Sequence, residues 1–193
     1  MNLNSTKFIM KSKNRSSQSL TELLVSSALV ITLISSALGA FILVKQVFVR
    51  DIVEANLQRD ANVIMKKLIK GEREAGVIFR LSEAVSYSIV INGVTGVTEL
   101  HFMSPSPDTN DRWYYLNAAG TSVLYHHPGF TNPEEVIYTA PQGATIALRF
   151  WTPPGSMFTN IAVGIDVAVS QNISGKNISG SVTTIVNIRN HFV

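Results

Sequence analysis

The sequence predicts an α+β protein, one long N-terminal α-helix followed by an antiparallel β-sheet. Two observations carry that reading. An uncharged apolar run passes without a break into an amphipathic helical pattern, and beyond Gly71 the period changes from three or four residues to two. The chain accordingly divides into a basic N-terminal segment, an apolar helix ending at 44, its amphipathic continuation over 45–71, and a β-rich domain over 72–193.

The apolar helix comes first. From Leu23 to Val44 there are 22 residues without a charge, close to the roughly 20 that span a bilayer core. Its hydrophilic members are Thr32 and serines, whose hydroxyls can bond back to the helix's own carbonyls. Gly39 is tolerated in such a helix. Hydrophobic residues make up 46% of the chain and charged residues 15%, an apolar balance that this run largely explains. The stretch is too long for a cleaved secretory signal and leads straight into more helix rather than into a polar mature chain.

The net charge of +3 is also local. Lys7, Lys11, Lys13 and Arg15 precede the apolar run, whereas from Lys45 onward twelve basic residues balance twelve acidic ones. A basic flank before a span keeps the N-terminus cytoplasmic and sends the body across. A neutral body lacks the uncompensated Lys and Arg that a nucleic-acid surface needs, so no nucleic-acid partner is expected. There is no cysteine, which excludes disulfides, thiolate metal sites and cysteine nucleophiles.

After Val44 the helical pattern continues with Val53, Leu57, Ala61, Ile64 and Leu68 at spacings of three and four. Asp51, Glu54, Arg59, Asp60, Lys66 and Lys67 fill the polar side, and Gly71 is a C-terminal stop after a lysine-rich last turn. The spacing predicts one helix over 21–70 whose lower half packs on the sheet. Strands are predicted over 85–91, 97–103, 112–116, 121–126, 136–139, 145–151, 161–169 and 182–188, rich in Val, Ile, Thr and aromatic residues. Asn92-Gly93 and Asn117-Ala-Ala-Gly120 read as turns, and the tandem Asn172-Ile-Ser-Gly175 and Asn177-Ile-Ser-Gly180 as a surface turn.

Glu22 is the outlier, a carboxylate at the mouth of the apolar run. A charge at the edge of hydrocarbon is costly unless paired. The segment Ser17-Gln-Ser-Leu-Thr-Glu-Leu-Leu-Val25 resembles the N-terminal signature of type IV pilins and type II secretion pseudopilins. In that family a glycine precedes the apolar run, a prepilin peptidase cuts after it, the new N-terminus is methylated, and a glutamate stands five places in. The resemblance implies cleavage between Ser17 and Gln18, which bounds a basic leader over 1–17 and an apolar helix over 18–44, N-methylation at Gln18, and a role for Glu22 in assembly, its carboxylate pairing with the freed amine of a neighbouring subunit. Ser17 stands where the family has glycine, and Gln18 where it has Phe or Met. Runs such as Val97-Thr-Glu-Leu-His-Phe102, Trp113-Tyr-Tyr-Leu116 and Val182-Thr-Thr-Ile-Val-Asn-Ile-Arg-Asn190 are similar in order to W-type minor pilins and J-type minor pseudopilins.

Enzymatic candidates are thin, and no enzyme is expected. His101, His126, His127 and His191 are scattered, and the adjacent pair on a strand end points to opposite faces. Asp108, Asn110 and Asp111 form a weak calcium candidate without a central glycine or a terminal glutamate, so a solvated turn is the better reading and no cofactor is expected. No phosphate loop and no nucleophile elbow occurs. Trp113, Tyr114, Tyr115 and Tyr125 could line a carbohydrate or partner surface, although alternation sends about half of them into the core, and Phe150-Trp151 stands beside the rigid Thr152-Pro-Pro-Gly155.

The expected function is therefore a structural, low-copy subunit of a type IV pilus or type II secretion pseudopilus. Its partners would be prepilin peptidase, other pilin or pseudopilin subunits through their stalk helices, and inner-membrane lipid. It would reside in the inner membrane as a single-pass protein before entering an extracytoplasmic filament. The alternative is an uncleaved, single-pass anchored binding module whose β domain recognises a partner.

Overall fold

The computed structural model describes residues 19–71, 73–74, 77–78, 80–93, 96–103, 111–127, 134–154 and 162–188. Helix α1 runs over Leu20–Lys70, one residue longer than the spacing predicts. Gly71 ends it with φ 76°, and its N–H bonds the Lys67 carbonyl at 3.0 Å. A left-handed residue at this position closes a helix at no cost only when it lacks a Cβ. The chain divides into two compact units, Met1–Val47 and Phe48–Val193. The first contains the apolar part of α1, where every described side chain is exposed.

The second unit holds the last turns of α1 and all ten strands. They are β1 (Arg73–Glu74), β2 (Val77–Ile78), β3 (Ser86–Ile91), β4 (Thr98–Met103), β5 (Asp111–Leu116), β6 (Ser122–His126), β7 (Glu134–Thr139), β8 (Ala144–Trp151), β9 (Ala162–Ile173) and β10 (Lys176–Asn187). The sheet content differs from expectation. Instead of one sheet there is a five-stranded meander β3-β4-β5-β6-β7, a three-stranded sheet β10-β9-β8, and the two-residue pair β1-β2, all antiparallel. The break falls after β7. Among the described residues strand β8 pairs only with β9, while its Ile146 N–H bonds the Gly120 carbonyl at 2.7 Å and its Phe150 N–H bonds the Thr98 hydroxyl at 2.9 Å. These bonds tie β8 to the β5–β6 turn and to the start of β4 without extending the ladder of the meander.

The last two strands are also longer than predicted. Alternation is legible over 161–169 and 182–188, and Ile161 lies outside the described residues. The polar segment between is not a loop but the far half of a hairpin of two twelve-residue strands, closed by Ser174 and Gly175 at φ 52° and 79°. Two successive left-handed residues make the tight turn whose twist matches the strands. The two Asn-Ile-Ser-Gly copies thus have different fates. In the first, Asn172 accepts the Gly175 N–H at 3.1 Å and shapes the turn. The second lies inside β10, with Ile178 and Gly180 buried.

One core joins these parts. Leu57, Ala61, Ile64 and Leu68 on α1 are buried together with Leu100, Phe102, Tyr114, Val123 and Tyr125 from the meander and Ile146, Leu148, Phe150, Val163, Ile165 and Val167 from the three-stranded sheet. Val53 packs at the rim of the same cluster. Each fully buried Leu or Ile contributes about 1.5–3 kcal/mol of transfer free energy. Asp60 corrects the expected polar face. It is only 9% exposed, because the helix turns it toward β7, where the Tyr138 hydroxyl bonds its carboxylate. Burial first, then that bond, pushes the Tyr138 phenol up to about 12.

The seat of the helix on β10 is the tightest contact. A Cβ on Gly180 would lie 2.2 Å from the Gln58 backbone nitrogen. The Gln58 side-chain amide donates to the Ser181 carbonyl at 2.8 Å and accepts the Ser181 N–H at 3.0 Å. It therefore pairs with the strand edge as another strand's peptide would. Gly180→Ala should cost about 1–3 kcal/mol by overpacking against backbone that cannot yield. Chemical denaturation of the full chain in detergent, followed by tryptophan fluorescence, checks this; Gly39→Ala, where nothing lies within 4 Å, is the matched control and should be neutral or stabilising.

Candidate functional site

The start of α1 is the first candidate. Ser19 is its N-cap residue: the Glu22 N–H lies 3.3 Å from the Ser19 hydroxyl, and the Ser19 N–H donates to the Glu22 carboxylate at 3.2 Å. This reciprocal pair is a capping box, with Glu22 at the third helical position. A carboxylate in the first turn also meets the positive end of the helix dipole. Glu22 thus has a local structural role that its spacing from Ser19 already encodes. Beyond it, every side chain from Leu20 to Ile52 is exposed. Ser27, Thr32 and Ser36 return their hydroxyls to the carbonyls of Leu24, Leu29 and Leu33 at 2.8–2.9 Å, so these three hydroxyls need no water. The helix is long and apolar enough to cross a membrane. Ser17 and Gln18, the expected cleavage pair, lie outside the described residues.

The second candidate is the solvent face of the meander. The register sets His101 opposite Trp113 and Trp113 opposite His126. Their rings stack: His101 and Trp113 are 5.1 Å apart at 9°, and Trp113 and His126 are 3.7 Å apart at 14°. Both faces of the Trp113 indole are therefore covered by imidazoles. A sugar needs an open aromatic face, so the carbohydrate reading of Trp113 does not hold. The neighbours on this face are acidic. Glu99 lies 3.2 Å from His101 Nε2, and the Tyr115 hydroxyl donates to Glu134 at 2.7 Å. Burial, then that bond, raises the Tyr115 phenol well above its ordinary value. Tyr114 and Tyr125 point the other way and are core, as alternation requires of half of the aromatic strip.

The remaining expected residues do not converge. His126 and His127 face opposite sides, His127 being buried beside Tyr125 at 5.5 Å. His191, Asp108 and Asn110 lie outside the described residues, and Asp111 is exposed at the start of β5. Among the described residues no three His, Asp or Glu side chains come together to hold a metal ion. Phe150 is buried, whereas Trp151 lies flat on Gly164, where a Cβ would stand 2.2 Å from the indole. The three-ring ladder escaped sequence reading because it depends on strand register, which alternation alone does not supply. The capping box was legible as Ser19-x-x-Glu22.

No family model, curated protein or solved structure matches this chain. The fold and these two surfaces are what bears on function.

The ladder makes stability pH-dependent. Burial holds the His126 imidazole below its ordinary value, with Glu134 opposing and His127 and His101 adding to the effect. A histidine with a lowered folded pKa stabilises the fold above its unfolded value of about 6.5, and that stability is lost as pH falls below it. The urea midpoint should therefore drop between pH 7.5 and pH 5. In His126→Phe, which keeps a ring on Trp113 and cannot take a proton, the drop should be smaller.

Proposed function

We propose that this chain is a pilin-like structural subunit, processed after Ser17 and assembled through α1 into a type IV pilus or a type II secretion pseudopilus. The observation that carries the proposal is the helix surface from Leu23 to Val44. It is apolar all round and wholly exposed, with one carboxylate in its first turn. Such a surface needs lipid, other helices, or both in succession. The basic leader and the Ser17–Val25 resemblance favour helices of the same kind over lipid alone.

In that role Glu22 acts twice. Within the subunit it closes the capping box. Between subunits its charge pairs with the amine that cleavage frees at Gln18 of a neighbour, in a setting where water is scarce and the attraction is strong. Removing one member of a buried pair costs about 3–5 kcal/mol, because the other charge is left uncompensated. The alternative, an uncleaved anchored module, draws on the capping box itself, which supplies Glu22 with a purpose that needs no neighbour.

Glu22→Gln separates the two readings, because Gln serves a capping box as well as Glu but carries no charge. In a filament subunit, Glu22→Gln and Glu22→Ala should both spare membrane level and both abolish co-purification with sheared filaments or companion subunits. In a simple anchor, Glu22→Gln should be neutral and Glu22→Ala should weaken only the helix start, by about 0.5–2 kcal/mol. Intact mass from the native host should likewise show a mature chain beginning at Gln18. Recovery of only the full-length chain beside an active prepilin peptidase would favour the anchored module.

A further inference from the structure

Sheet edges offer unpaired backbone groups to any passing strand, and folded proteins guard them with charge, bulges, proline or a cover. Among the described residues, three of the four long edges are guarded. β10 is closed by the Gln58 amide at Ser181. β7 is closed at Ile137, whose carbonyl takes the Lys67 ammonium, and carries exposed Glu134 and Glu135 together with a register shift against β6. β8 spends its outer N–H groups at Ile146 and Phe150 on the meander.

Among the described residues, β3 has none of these devices. Its sequence, Ser86-Tyr-Ser-Ile-Val-Ile91, has no charge and no proline, and it pairs with β4 in unbroken register. The Asn92 N–H bonds the Val97 carbonyl at 2.9 Å, which sets the parity of the ladder. Even-numbered residues bond inward to β4, so the N–H and C=O groups of Tyr87, Ile89 and Ile91 point to the open edge. None of these six groups has a hydrogen-bond partner among the described residues. The side chains beside them are apolar and exposed, Val90 at 42% and Ile91 at 69%.

We propose that β3 is a homotypic docking strand, pairing antiparallel with β3 of a second copy of this chain across a two-fold axis at Ile89. The occupant follows from self-complementarity. With Ile89 opposite Ile89, Tyr87 falls opposite Ile91 on both sides, so all three outward-bonding residues meet outward-bonding residues at once. Ser88 then falls opposite Val90 in the close, non-bonded pairs. An uncharged strand meets its own copy without repulsion, whereas the Glu134 and Glu135 edge would not. The result is a continuous ten-stranded sheet across two subunits. This contact is separate from any made by α1 and does not rest on the filament reading.

The test uses the full chain in detergent. The wild type should form dimers at micromolar concentration, measured by sedimentation. Val90→Lys and Ile91→Lys put a gatekeeper charge at exposed edge positions and should weaken the dimer at least tenfold while leaving the thermal midpoint nearly unchanged. Because the chain has no cysteine, Ser88→Cys with Val90→Cys in one chain creates two unique thiols that the two-fold register brings together. Mild oxidation should give a covalent dimer, and the same pair moved to Thr183→Cys with Ile185→Cys on β10 should not. A monomer at tens of micromolar would overturn the proposal. So would a dimer that the lysine variants leave intact and the cysteine pair does not trap, since that dimer would be held by α1.

Discussion

The architecture rests on the contact between Gln58 and the edge of β10. Helix α1 reaches the three-stranded sheet with backbone against backbone at Gly180, and one side-chain amide then satisfies both main-chain groups of Ser181. That approach fixes the depth and rotation of the helix. With Gln58 held, Leu57, Ala61, Ile64 and Leu68 are turned into the core, and Asp60 is turned toward Tyr138. A bulkier residue at 180 would lift the helix and open the cluster that both sheets share.

The two halves of α1 obey different solvents. Up to Val47 the helix carries apolar side chains on every face and returns the hydroxyls of Ser27, Thr32 and Ser36 to its own carbonyls. From Val53 onward the same helix is amphipathic and has a partner in the fold. The capping box of Ser19 and Glu22 belongs to the first half and begins the helix where an apolar environment would tolerate no unsatisfied N–H. A single carboxylate can thus close a helix end and still carry the charge that a neighbour would seek.

The β region solves its edges unevenly. A side-chain amide, a lysine, two glutamates and the bonds of β8 to the meander guard three of them, and among the described residues β3 is left plain. On the solvent face of the meander the polar and aromatic side chains are spent on one another, His101, Trp113 and His126 as a stack and Tyr115 with Glu134 as a bond. The Trp113 indole on that face is consequently covered rather than an open platform.

Much of this was determined by the sequence alone. The helix limits, its inward residues, six of the eight long strands to within two residues, and the Asn117 and Gly71 stops all follow from local rules of period, propensity and left-handed tolerance, which act over a few residues. The capping box was equally local. What the tertiary structure decided were matters of long range: the parting of one expected sheet into two, the burial of Asp60, the extension of the Asn-Ile-Ser-Gly copies into a hairpin, and the stacking of three rings from three strands. Each depends on which strand lies opposite which, and period-two alternation is silent on register. Only packing against a helix at Gly180, and the closure of each edge in turn, selects among the pairings that the pattern allows.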